Sequence, residues 1–160
     1  MRHFLVSGLY WLSAIGCGVM AGIYFAFSAF IMTAFAHIGA PSGIAAMNAI
    51  SVEIVRSLFM PLFLGTTLAA GLLAALAFFR WSEPGSAATL AAGTLYVLGM
   101  FMVTAIFNVP LNDALAAVDP SGAEGAALWA RYLREWTFWN HVRTVASLGA
   151  SVLFVIAMRR

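Results

Sequence analysis

The amino-acid sequence predicts an all-α fold: a four-transmembrane-helix bundle with a short amphipathic helix after span one and a capped helix running into span four. Three observations carry that expectation. First, 63% of the 160 residues are hydrophobic and 9% are charged, against roughly 45–50% apolar and about 25% charged in an ordinary soluble domain. A water-exposed fold of this composition would present large apolar patches and aggregate. Second, four apolar runs are each long enough, at about 1.5 Å rise per residue, to cross a hydrocarbon core about 30 Å thick. Third, the breaks between them hold the glycine, proline and tryptophan signals of membrane-surface loops. The length fits one integral membrane domain, residues 1–160.

Span one is expected over residues 4–28, because no Asp, Glu, Lys or Arg occurs between Phe4 and Val52. Its Met1-Arg2-His3 start and downstream Ala34-Phe35-Ala36 imitate a signal peptide. A cleavable apolar core runs to only about 7–15 residues, so an uncleaved anchor is the better reading. Gly39-Ala40-Pro41-Ser42-Gly43 then breaks the helix, and Ile44 to Arg56 mixes Met47, Ile50, Ile54 and Val55 with Asn48, Ser51, Glu53 and Arg56 in an amphipathic segment. Residues 57–79 are free of charge and form span two, closed by Arg80-Trp81-Ser82-Glu83-Pro84-Gly85. Span three covers 87–108. Pro110 leaves the carbonyl of Ile106 without its usual donor, which predicts a kink or an exit from the membrane. Ser121-Gly122-Ala123-Glu124 matches a capping box. The helix it starts puts Trp129, Tyr132, Leu133 and Trp136 on one face and continues into span four, 136–158.

Placing both termini and the Arg80 loop on the cytoplasmic side puts Arg2, Arg80, Arg159 and Arg160 against the single acid Glu83, as the positive-inside bias requires. All eight basic residues are arginines and the net charge is +2, so no nucleic-acid surface is expected. The partners expected instead are membrane lipid and a hydrophobic small molecule. Gly18-Val19-Met20-Ala21-Gly22, with Gly65, Ala69, Ser147 and Ser151, supplies small-residue stripes for close packing within the chain, with a homo-oligomer contact as the alternative. Cys17 is the sole cysteine, which rules out an intrachain disulfide or a Cys-based metal cluster.

Under this topology Asn48, Glu53, Arg56, Asn108, Asn112, Asn140, His141 and Arg143 all fall at the outer end of the bundle. Polar groups near lipid face a bundle interior or a wet cavity, so their convergence suggests a pocket. Arg143 lies about 10 Å into the fourth apolar run and needs an anionic or carbonyl partner. Glu53 and Asp113 are the available acids, and a structural ion pair or a snorkelling side chain competes with anion binding. Asn108 and Asn112 share a face if the helix persists through Pro110, and Trp136, Asn140 and Ser147 share another. Together they would wall a polar, aromatic cavity, or simply hydrogen-bond between helices. His141 suits a general base if desolvated. A packed interfacial histidine, or a haem or metal ligand, are its other readings; no second ligand stands at metal spacing, so no cofactor is expected.

Asn108-Val109-Pro110-Leu111-Asn112, Leu128-Trp129-Ala130-Arg131-Tyr132 and Trp136-Thr137-Phe138-Trp139-Asn140-His141-Val142-Arg143-Thr144 together resemble the anthrone oxygenase-like family of small membrane proteins. Gly22 to Ser28 is similar to the family's aromatic stretch, while Asn48 and Ser51 stand where the family more often has Gln and Asn. The resemblance implies oxidation of polyketide anthrones to anthraquinones by O₂ without an obvious cofactor, as in fungal members; most bacterial members have no assigned role. It also makes a bacterial cytoplasmic membrane the expected location. In that chemistry His141 would be the base, Arg143, Asn108 and Asn140 would hold the enolate oxygen, and Trp136 and Trp139 would stack the planar substrate, with Asn48 and Asn112 completing the site. The competing function is a non-catalytic module that binds a lipid or quinone or assists a membrane partner.

Overall fold

The computed structural model describes the backbone of residues 2–159 and the side chains of residues 6–159. The side chains of Arg2, His3 and Arg160, used above for orientation or placed at a terminus, lie outside that description. The described chain is all helical: α1 (Arg2–Ala26), α2 (Met32–His37), α3 (Ala40–Arg56), α4 (Phe59–Phe79), α5 (Ser86–Tyr96), α6 (Val109–Ala117) and α7 (Ala123–Met158). Wider π-helical turns at Phe27–Ile31, Val97–Met102 and Thr104–Asn108 join α1 to α2 and α5 to α6 without a break in the helix. Four stretches are long and apolar enough to cross a membrane: Val6–His37, Phe59–Phe79, Ser86–Ala117 and Ala123–Met158.

Two of the helices run on past the expected span ends. Span one does not stop near Ser28 but stays helical to His37, because nothing interrupts it before Gly39, whose φ of 82° turns the chain and whose neighbour Pro41 opens α3. The third helix does not end at Asn108 but runs on to Ala117. The π-helical turn Thr104–Asn108 absorbs the missing amide of Pro110, which sits in the first turn of α6 and so needs no donor. The capping box at Ser121 and Glu124 does not form either. Instead the Ser121 amide donates to Asp119 Oδ1 at 3.0 Å and the Gly122 amide to the Asp119 carbonyl at 3.1 Å, so an aspartate turn opens α7.

α7 is about 54 Å long at 1.5 Å per residue, well beyond a hydrocarbon core of about 30 Å. Its surplus, with α2, α3 and α6, builds a second core. The lower core packs Cys17, Met20, Phe63, Leu73, Tyr96, Met100 and Phe154 between the spans. The upper one packs Met32, Ile44, Met47, Leu111, Leu115, Trp129, Tyr132 and Trp136. Small residues set the close approaches. A methyl on Gly16 would strike Thr66, one on Gly93 would strike the Ala70 carbonyl, and one on Gly18 would lie 3.3 Å from Ser151 Oγ. Gly18 thus packs against α7 within the chain, whereas Gly22 is exposed and has open space around it. Outward, Leu68, Phe79 and Val145 expose apolar surface suited to lipid.

Candidate functional site

Between the two cores lies a cavity of about 310 Å³. Its floor is made of buried residues: Tyr24 of α1, Met47 of α3, Phe63 of α4, and Trp136 and Arg143 of α7. Val55, Val109 and Asp113 line it as well but are exposed, and so form its rim. Thr104, Asn112 and Ser51 add polar lining between floor and rim.

Arg143 dominates the floor. It is 5% exposed, and neither Glu53 nor Asp113 pairs with it; the ion pairs among the described residues are Arg80–Glu83 and Arg131–Glu135. Glu53 and Arg56 do not pair with each other. The guanidinium is held instead by neutral groups. Nη2 donates to Asn140 Oδ1 at 2.7 Å and Nη1 to Thr104 Oγ1 at 3.3 Å. Its carbon lies 4.4 Å from the Tyr24 ring centroid and 5.0 Å from that of Trp136, so two aromatic faces stand where a carboxylate would be. Nε has no partner among the described residues. An arginine keeps its proton at any physiological pH, so this wall of the cavity carries a full, uncompensated positive charge.

Asn140 fixes that arrangement. Its amide donates at 2.7 Å both to the Tyr24 carbonyl and to Ser28 Oγ, while its oxygen accepts from Arg143. Asn108 donates to the Trp136 carbonyl at 3.1 Å, and its own oxygen has no partner. These contacts join α7 to Tyr24 near the end of α1 and to Ser28, Thr104 and Asn108 within the π-helical turns at Phe27–Ile31 and Thr104–Asn108. Thr104, Asn108 and Asn112 recur every four residues, which gives one polar stripe facing α7. Upstream, Trp129, Tyr132 and Trp136 stack with centroids 5.6 and 5.7 Å apart. The Tyr132 hydroxyl donates to Asn112 Oδ1 at 2.7 Å, which steers that amide at the cavity edge.

The sequence-derived candidates therefore separate into three groups. Arg143, Trp136 and Asn112 line the cavity. Asn108 and Asn140 are buried beside it and position it. Asn48, Trp139 and His141 stand apart from the lining. Asn48 donates to the Leu115 carbonyl at 3.4 Å, inside the upper core. Trp139 stacks face to face on Phe107 with centroids 3.7 Å apart. His141 is exposed, because it follows Asn140 by one residue, about 100° around the helix, and Asn140 points inward. Tyr24 and Thr104 were not singled out from the sequence. The signal for each was a spacing of four: Tyr24 to Ser28, and Thr104 to Asn108. Among the described residues no group of three or more His, Cys, Asp or Glu side chains is placed to hold a metal ion.

Fold and site together define a class: a small four-span integral membrane protein with a buried arginine on the wall of an internal cavity. The chain belongs to the anthrone oxygenase family, whose family model matches residues 49–153, well over half of its length. That match takes in Thr104, Asp113, Trp136, Asn140 and Arg143, whereas Tyr24 and Ser28 precede it. No curated protein and no solved structure matches the chain.

Proposed function

We propose that the chain binds a planar, weakly acidic aromatic compound of the phenol or anthrone type in this cavity as its anion, and lets that anion react with O₂ without a bound cofactor. The net change is one methylene plus O₂ giving one carbonyl plus water. Membership of the anthrone oxygenase family supports the reaction class. The observation that carries the reading is Arg143: a buried cation with no carboxylate partner, on the wall of an aromatic-lined cavity. Burying a charge unpaired costs several kcal/mol; an anionic ligand that pairs with it recovers that cost. Electrostatic stabilisation of charge that develops during reaction is also the largest single contribution in many enzymes. Tyr24 and Trp136 line the cavity beside the guanidinium, and Asn140 and Thr104 hold it in register. A lipid-soluble substrate would partition into the bilayer before entry. The same proposal sets the chain in a bacterial cytoplasmic membrane with both termini inside, so that the cavity lies toward the outer leaflet.

One observation favours a second reading, a non-catalytic binder of a quinone or lipid: among the described residues no imidazole lines the cavity. A single experiment separates the two. Purified protein in lipid nanodiscs is given anthrone or a hydroquinone, and O₂ uptake is compared with that of Arg143→Ala. The expected result is uptake above the buffer rate that is lost in the variant. Wild-type uptake equal to background, with tryptophan quenching still reporting binding, would overturn the oxygenase and leave the binder.

A further inference from the structure

We infer that Asp113 is the proton acceptor of this cavity, a role that rests on the oxygenase reading above. The anion that Arg143 would stabilise must first be made, and the proton needs a destination. Among the described residues Asp113 is the one carboxylate on the lining, and Arg143 the one cation. The two do not form an ion pair. They come from different helices, α6 and α7, and differ in exposure: Arg143 is buried on the floor, and Asp113 is exposed on the rim. A substrate lying between them has its carbonyl oxygen at the guanidinium and its acidic C–H or O–H toward the carboxylate. The backbone holding Asp113 is fixed at two points, by Pro110 in the first turn of α6 and by the Tyr132–Asn112 hydrogen bond of 2.7 Å one residue before it.

The step balances as follows. A C–H bond of the methylene breaks, its electron pair stays on the substrate as an enolate whose oxygen faces Arg143, and the proton goes to the Asp113 carboxylate. O₂ adds to the carbon and takes that proton back as a hydroperoxide. Loss of the second methylene hydrogen together with cleavage of the O–O bond gives the carbonyl and one water. The substrate loses four electrons and O₂ gains four. Of the other titratable groups on the lining, Tyr24 faces the site from α1 and Arg143 from α7, while α3 and α4 contribute none.

The test uses the full chain in nanodiscs with anthrone as probe, and measures anaerobic binding by tryptophan quenching separately from O₂ uptake. Asp113→Asn keeps anaerobic affinity within about threefold of wild type and lowers O₂ uptake at neutral pH by about 100-fold or more, the usual scale of general-base catalysis. Raising the pH restores much of the rate, because the substrate then ionises unaided. Asp113→Ala recovers activity as acetate is added, with saturation, while wild type does not respond. Wild-type uptake in Asp113→Asn, loss of its anaerobic binding, or no acetate response in Asp113→Ala would each overturn the assignment. If wild type itself fails to bind anthrone, the oxygenase reading falls and takes this role with it.

Discussion

Replacing Arg143 with Met separates a residue kept for structure from one kept for a ligand. Methionine approximates the arginine stem and removes the charge. The change forfeits two hydrogen bonds, to Asn140 and Thr104, worth about 0.6 kcal/mol each by the average for membrane proteins. It also forfeits contacts with the Tyr24 and Trp136 faces, at about 1 kcal/mol each, and orphans Asn140 Oδ1 at about 1 kcal/mol more. Against a loss of about 4 kcal/mol stands relief from burying an uncompensated guanidinium, an effective penalty of several kcal/mol. Arg143→Met should therefore unfold within about 2 kcal/mol of wild type in mixed-micelle titrations. Its affinity for a phenolate or enolate should fall about 10- to 150-fold, the equivalent of one charged hydrogen bond. A variant that loses much more stability yet binds normally would make Arg143 a structural strut, and the argument from its missing counter-ion would fail.

His141→Ala should leave both anthrone binding and O₂ uptake within about threefold of wild type, since an exposed substitution typically costs no more than about 0.5 kcal/mol; a loss of activity with binding intact would bring the imidazole back into the chemistry. Gly43→Ala puts a methyl into the indole of Trp129 and should destabilise by about 1–3 kcal/mol, seen as a lowered thermal midpoint; an unchanged midpoint would mean that the upper core can yield there. Tyr132→Phe removes the donor to Asn112 Oδ1 and should cost about 1 kcal/mol. In a double-mutant cycle, Asn112→Ala should then add little to it, and full additivity would show that the two residues act separately.

Much of this architecture is legible in the sequence because lipid imposes one rule, satisfaction of every backbone group within a helix, and four apolar runs answer it. The family resemblance was carried by motifs from Asn108 to Thr144, which fall inside the residues the family model matches. Legibility ended where a one-residue difference decides a face. Asn140, His141 and Arg143 are near neighbours in sequence, and from sequence alone all three appeared to enter one polar cluster. The helix allots about 100° per residue, so Asn140 and Arg143, three apart, share the buried face and His141 is turned out. The face shared by Trp129, Tyr132, Trp136, Asn140 and Ser147 already sets that phase, and His141 falls outside it. Pro110 was legible as a disturbance, but its consequence depended on whether the preceding turn could widen. Trp139 read as a stacking platform, which it is, but for Phe107 of its own chain.

The widened turns link these points. A regular α-helix directs each carbonyl to the amide four residues on and leaves little for a neighbour. Where the winding loosens to five, the ladder is shifted and side chains are rotated relative to the helix on either side. Most of the polar contacts that α7 makes around the cavity fall on or beside such places: Asn140 reaches Ser28 in the first widened turn and Tyr24 just before it, while Arg143 donates to Thr104, and Asn108 to the Trp136 carbonyl, at the one before Pro110. Thr104 serves both helices, since its hydroxyl donates to the Met100 carbonyl at 2.8 Å and accepts from Arg143 at 3.3 Å. A cation kept in an apolar bundle without a carboxylate needs acceptors from the backbone and from neutral side chains. Thr104 of the turn before Pro110 supplies one, and Asn140 of α7 supplies the other while its own amide is tied to Tyr24 and Ser28.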